Sequence, residues 1–168
     1  MAIADRVHFR MMSLIHEDLY RVFRDPYEVL KTAGLASGQD VLEVGCGPGF
    51  FTVPAARMVG EQGTVHALDI NPLALERVRQ KVERESVTNV CTMLADAGQT
   101  GLAGESFDLI FVFGLGHLVG GADRMMAELH RLLRPGGTLS IEGRLTPNGE
   151  LFQAVRSEGR ITQYRKAV

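Results

Sequence analysis

Two cysteines, Cys46 and Cys91, are all that this chain of 168 residues contains. That is too few for a disulfide framework or a four-ligand zinc site, so no structural metal is expected and both thiols read as small, reduced residues. An excess of one charge is missing too: 18 basic against 20 acidic side chains leave a net charge of −2. A nucleic-acid footprint normally shows as a basic domain, so no nucleic-acid partner is expected. The basic residues near the end, Arg156, Arg160, Arg165 and Lys166, read as a solvated face. No apolar run approaches the ~20 residues of a membrane span. The opening residues, MAIADR, lack the basic stretch and long apolar run of a signal peptide. No membrane partner is expected, and the expected location is cytoplasmic. Internal repeats and low-complexity segments are absent. What remains is 45% hydrophobic and 23% charged, an ordinary globular composition at a length that suits one domain.

Strand-like and helix-like segments alternate along the chain. Phe9, Met12, Ile15, Leu19 and Val22, three or four apart, predict an amphipathic helix over the first 24 residues. Asp25-Pro26 ends it and opens a second short helix to about residue 33, with proline at its first position. Strands follow at 40–44, 64–69, 90–95, 107–113 and 138–142. Helices are expected at 50–59, at 71–85 behind the Asn71-Pro72 cap, and at 122–134, where Met125, Met126, Leu129, Leu132 and Leu133 form a buried stripe. Arg134-Pro-Gly-Gly137 is expected to break that last helix before the strand starts. Such alternation predicts a parallel sheet covered on both faces. In the tail, 151–156 and 160–166 read as two strands of an antiparallel hairpin joined at 157–159. Leu151, Phe152 and Val155 also fit helical spacing, so a helix over 149–157 competes with the first of these strands.

The run VLEVGCGPG at 41–49 places Gly45, Gly47 and Gly49 at alternate positions directly after an apolar strand. Such a loop brings bare backbone and a helix N-terminus up to a ligand. A dinucleotide loop, G-x-G-x-x-G, would need glycine at position 50, which is Phe50, or at position 52, which is Thr52. The pattern E-x-G-x-G-x-G instead resembles the signature of class I S-adenosylmethionine-dependent methyltransferases. The resemblance covers about 35–143, and the hairpin extends it to the C-terminus. It implies an α/β fold: a Rossmann-like, doubly wound, mostly parallel sheet of seven strands ending in an antiparallel hairpin. It divides the single domain into a helical lid (1–33), an S-adenosylmethionine-binding core (35–143) and the hairpin (151–166).

The resemblance also implies roles. Glu43, Gly45, Cys46, Gly47 and Gly49 would hold the methionine part of the cofactor, with loop amides on its carboxylate and Glu43 facing its cationic groups. Asp69, closing the second strand, can accept both ribose hydroxyls, or it can serve the helix start near Asn71. Ile70 would lie against the adenine. Asp96 in Leu94-Ala-Asp-Ala97 would accept the adenine amino group, with a turn-forming aspartate as the plainer alternative. Backbone at Phe113 and Gly114 would contact the ligand's amine, and Leu115 and His117 would line the acceptor pocket. His117 titrates near neutrality and can take a proton from an acceptor; a surface histidine is the equal alternative. Met12 and Tyr20 on the leading helix are further pocket residues.

The strand after Phe107 lacks the Asp/Asn-Pro-Pro-aromatic motif of nucleic-acid amino-methyltransferases, and no acid between Asp108 and Asp123 matches the metal-dependent catechol type. The expected activity is therefore methyl transfer from S-adenosylmethionine, giving S-adenosylhomocysteine, to a small-molecule acceptor. The alternatives are a non-catalytic S-adenosylmethionine-binding module and an NAD(P)-dependent oxidoreductase. The short 143–151 segment leaves a small or open pocket, which a homodimer or a partner subunit can complete.

Overall fold

The computed structural model describes residues 25–114 and 121–167. The leading helix and the pocket residues Met12, Tyr20, Leu115 and His117 lie outside the described residues. Asp25 accepts a hydrogen bond from Tyr27 N at 2.9 Å and caps α1 (Pro26–Thr32). The chain continues through β1 (Asp40–Val44), α2 (Thr52–Val59), β2 (Thr64–Asp69), α3 (Pro72–Arg84), β3 (Val90–Leu94) and β4 (Phe107–Val112). It ends with α4 (Ala122–Leu132), β5 (Leu133–Glu142), β6 (Phe152–Glu158) and β7 (Ile161–Lys166). Asn71 caps α3 by accepting from Leu73 N at 3.0 Å, with Pro72 in the first turn, as the sequence predicts.

The sheet has seven strands in the order β3-β2-β1-β4-β5-β7-β6. The first five are parallel, and β7 runs antiparallel to both its neighbours, β5 and β6. β1 and β4 are neighbours, and the connections leave them in opposite directions. The carboxyl ends of these two strands therefore flank the crevice where ligands of open α/β sheets bind. Leu42, Val44, Ile110, Val112, Leu139 and Ile141 pack against Met125, Met126 and Leu129 of α4. The opposite face buries Val41, Leu109 and Phe111 beneath Leu30 of α1 and Ala55, Ala56 and Val59 of α2. Val29, Leu30 and Ala33 are thus part of the core. Ala33 O accepts from Ser140 Oγ at 2.5 Å, and Thr32 O from Gln163 Nε2 at 2.7 Å.

Two boundaries differ from the expected ones. Arg134-Pro-Gly-Gly137 lies within β5, not before it. Phe107 pairs with Leu133 and Leu109 with Thr138, so the extra residues bulge out of the ladder. Gly136 takes φ +76°, and a Cβ on Gly137 would lie 2.9 Å from Arg134 O, so the bulge needs both glycines. Helix α2 starts at Thr52 rather than residue 50, because Phe50 and Phe51 complete the glycine loop. The tail is a hairpin, and the competing helix over 149–157 does not form. β6 adds to the free edge of β7, and Val155, the residue that would complete a helical stripe, sits at a bulge and is exposed.

No helix connects β3 to β4. Instead Glu128 of α4 accepts from Thr100 N at 3.1 Å and from Thr100 Oγ1 at 2.6 Å, while Arg131 donates to Leu102 O at 2.7 Å. Arg131 and then Thr100 hold the Glu128 carboxyl down at about 2. No helix among the described residues is long and apolar enough to cross a membrane.

The β5 bulge also aims Arg134 at the amino ends of the central strands. Its guanidinium donates to Asp108 Oδ2 at 2.6 Å and to Asp40 Oδ2 at 2.9 Å. Arg134→Ala leaves these two acids facing each other without the shared cation. The three side chains are 40%, 33% and 38% exposed, so solvent screens the loss. Urea denaturation should show destabilisation of about 1 kcal/mol, and an unchanged midpoint would make the cluster ornamental.

Candidate functional site

The loop after β1 is shaped from within. Gly45 N and Cys46 N both donate to Leu68 O, at 2.8 and 3.0 Å, and Gly49 N donates to Cys46 O at 3.0 Å. Gly47 N donates to Asp69 Oδ2 at 2.8 Å. All four amides therefore have partners within the chain. What the loop presents is bare surface. A Cβ on Gly47, at φ +52°, would meet no described atom within 4 Å. Gly49 is the opposite case, because its Cβ would lie 3.0 Å from Val78 Cγ2 on α3. From behind, Lys81 Nζ donates to Gly49 O at 3.3 Å. Cys46 turns its thiol into the core beside Leu75 and Val78, and burial pushes that thiol well above its ordinary range. Only its backbone can face a ligand.

Glu43 stands at the carboxyl end of β1, 3% exposed, and accepts a hydrogen bond from Thr52 Oγ1 at 2.5 Å. Burial pushes its carboxyl up to about 8; the Thr52 hydrogen bond opposes the shift and the Asp69 charge adds to it. Thr52 was not singled out in the sequence. The available signal was its position, at the first residue of the helix that follows the glycines.

Asp69 ends β2 half-buried and uses both oxygens, Oδ2 for Gly47 N and Oδ1 for Asn71 N at 2.8 Å. It therefore supports the loop and the start of α3 together. Each oxygen keeps a second lone pair. Asp96, just past β3, accepts from Gly98 N at 2.7 Å, forming a turn, and from Arg124 of α4. Gly45, Asp69, Ile70, Asp96, Ala97 and Arg124 together line a cavity of about 290 Å³. Ile70 lines this cavity and is 74% exposed. At the end of β4, Phe113 is buried against Phe51, with ring centroids 5.1 Å apart, so only its backbone is available. Gly114 follows at φ +73°, and a Cβ there would meet no described atom within 4 Å. Glu142, also missed in the sequence, closes β5 with a buried side chain 3.6 Å from Arg160 Nε.

The arrangement is an open glycine loop flanked by acids at three successive strand ends, with an apolar residue at the rim of the cavity. It suits an elongated ligand with a cationic end, vicinal hydroxyls and a flat base.

A family profile described as a methyltransferase domain matches residues 41–137. The chain is 30% identical over 147 residues to the ubiquinone/menaquinone biosynthesis C-methyltransferase UbiE of Marinomonas sp. (strain MWYL1), covering 86% of this chain and 57% of that protein. It is 40% identical over 74 residues to the aklanonic acid methyltransferase DauC of Streptomyces sp. (strain C5), covering 44% and 34%. The chain thus spans about half the length, or less, of these curated relatives. A SAM-dependent methyltransferase from Aquifex aeolicus superimposes with a TM-score of 0.81 at 24% identity, covering 94% of this chain and 98% of that one. That likeness establishes the fold.

The buried acid makes stability depend on pH. Folded Glu43 keeps its proton up to about pH 8, whereas an unfolded glutamate loses it near an ordinary 4.5. Folding therefore takes up a proton between these values, and the contribution from Glu43 is full below pH 4.5 and lost as pH rises through 8. Glu43→Gln should flatten that slope and raise the neutral-pH denaturation midpoint relative to the parent. Parallel urea titrations across this range would show it, and identical slopes would mean that Glu43 is ionised in the fold.

Proposed function

The chain belongs to the methyltransferase domain family, and from that premise we propose that it transfers a methyl group from S-adenosylmethionine to a small organic acceptor. The observation that carries the reading is the open glycine loop with Glu43, Asp69 and Asp96 around it. The residues fit the cofactor on two counts. Gly47 leaves free the space a side chain would fill, and Glu43 is a buried carboxyl beside which a cation is favourable. Under this reading Glu43 and the backbone of Gly45–Gly47 hold the methionine portion. Asp69 takes the ribose hydroxyls on its remaining lone pairs, and Ile70, Asp96 and Ala97 enclose the base.

The cofactor supplies an activated methyl on a sulfonium centre. The protein's part is alignment and exclusion of water, which can provide most of the acceleration. Bringing a cation to Glu43 favours loss of its proton, so the site binds the cationic cofactor with release of that proton at neutral pH. Phe113 and Gly114 end β4 with open backbone, and the acceptor approaches over them. His117 is the proposed proton acceptor, with Leu115, Met12 and Tyr20 as proposed pocket residues. The relatives named for aklanonic acid and for ubiquinone/menaquinone biosynthesis support an organic acceptor of modest size. The same reading assigns the protein to the cytoplasm, where Cys46 and the exposed Cys91 stay reduced.

Calorimetric titration with S-adenosylmethionine, S-adenosylhomocysteine and NADH tests the reading directly. The two adenosyl ligands alone should bind. Preference for NADH would replace it with nicotinamide chemistry, and binding without turnover on any acceptor would leave a regulatory module. Gly47→Val should abolish binding while the circular dichroism spectrum stays that of a folded protein. Asp69→Ala should weaken binding by roughly 1–3 kcal/mol. Unchanged affinity in the first variant removes the loop from the site, and in the second removes the ribose assignment.

A further inference from the structure

Arg124 is a residue that neither the glycine-loop pattern nor the family's strand-end acids point to. It sits in the first turn of α4, and its side chain reaches the loop after β3. There its guanidinium donates to Asp96 Oδ2, while Asp96 Oδ1 accepts from Gly98 N at 2.7 Å. A Cβ on Gly98 would lie 2.6 Å from Arg124 Nε and 3.2 Å from Arg124 Cγ, so the arginine side chain lies directly over the Asp96–Gly98 turn. Both Arg124 and Asp96 line the same cavity as Asp69 and Ile70.

The pair is 61% and 50% exposed, and exposed ion pairs contribute little to folding stability. Its consequence is local: it holds the carboxylate of Asp96 from two sides and places further guanidinium N–H groups beside it. We propose that Arg124 is a positioning residue for base recognition, fixing Asp96 against the cavity so that the site discriminates between a base edge carrying an amino group and one carrying an oxo group. This inference rests on the reading of Asp96 as the residue that meets the base. An amino group donates to a fixed carboxylate, whereas an oxo group sets one acceptor against another, so the contrast is sharpest when the carboxylate cannot turn away.

The test compares S-adenosylhomocysteine with S-inosylhomocysteine, which differ at that position of the base, by calorimetry on the whole chain. Arg124→Ala should weaken S-adenosylhomocysteine binding about tenfold and narrow the ratio between the two ligands, with the melting temperature unchanged. Arg124→Lys, which keeps a charge without the fork, should recover part of the loss. Gly98→Ala crowds the guanidinium with both charges retained and should give a smaller shift in the same direction. Asp96→Asn separates the two levels of the argument. If it weakens binding while Arg124→Ala and Gly98→Ala leave the ligand ratio intact, the role of Arg124 is overturned and the base assignment stands. If Asp96→Asn changes nothing, the base assignment fails and the inference fails with it.

Discussion

The carboxylate of Asp69 holds the site together. One oxygen takes the amide of Gly47 and the other that of Asn71. A single side chain therefore ties the end of β2 to the crest of the glycine loop and to the cap of α3. Without that anion, Gly47 would lose the partner of its amide at the point where its backbone is left-handed and uncovered. The remaining loop amides are tied to Leu68 O and Cys46 O, so the loop is prepared before any ligand arrives. Preparation of this kind lowers the ordering cost of binding.

The electrostatics of the site follow from the same crowding. Glu43, Asp69 and Asp96 stand at the ends of β1, β2 and β3, and the three meet their surroundings differently. Glu43 is buried and accepts a hydroxyl hydrogen bond from Thr52, and desolvation raises its pKa. Asp69 is half-buried and compensated by backbone amides. Asp96 is exposed and compensated by Arg124. The acid with least compensation is thus the deepest one, next to the loop, where a cationic ligand gains most from finding it. A gradient from uncompensated to ion-paired acid runs from β1 to β3.

Much of this was legible in the sequence because local signals and tertiary demands agree there. The Asn71-Pro72 cap, the 40–44 and 64–69 strands and the alternate glycines each carry their own physical reason within a few residues. Where such agreement failed, the reading missed. Arg134-Pro-Gly-Gly137 looks like a helix stop followed by a turn, yet pairing with Phe107 and Leu109 draws it into β5 as a bulge, which no local pattern announces. In the tail, where Val155 fits a helical stripe as well as a strand, the free edge of β7 decides for the expected hairpin. Thr52 and Arg124 were missed for one reason: each works on a partner brought close only by the fold, nine and 28 positions away in the chain.

The two halves of the site also differ in how they are built, which explains why the cofactor could be read and the acceptor could not. The half at β1, β2 and β3 is made of strand ends and the loops directly following them, so its chemistry repeats wherever the sheet does. The half at β4 and β5 has short connections. The 95–106 crossover is stapled to α4 through Glu128 and Arg131 instead of folding as a helix, and 143–151 is a bare link. Under the proposed function, side chains that meet an acceptor come from outside these strand ends and share no structural constraint of that kind, so no spacing rule identifies them.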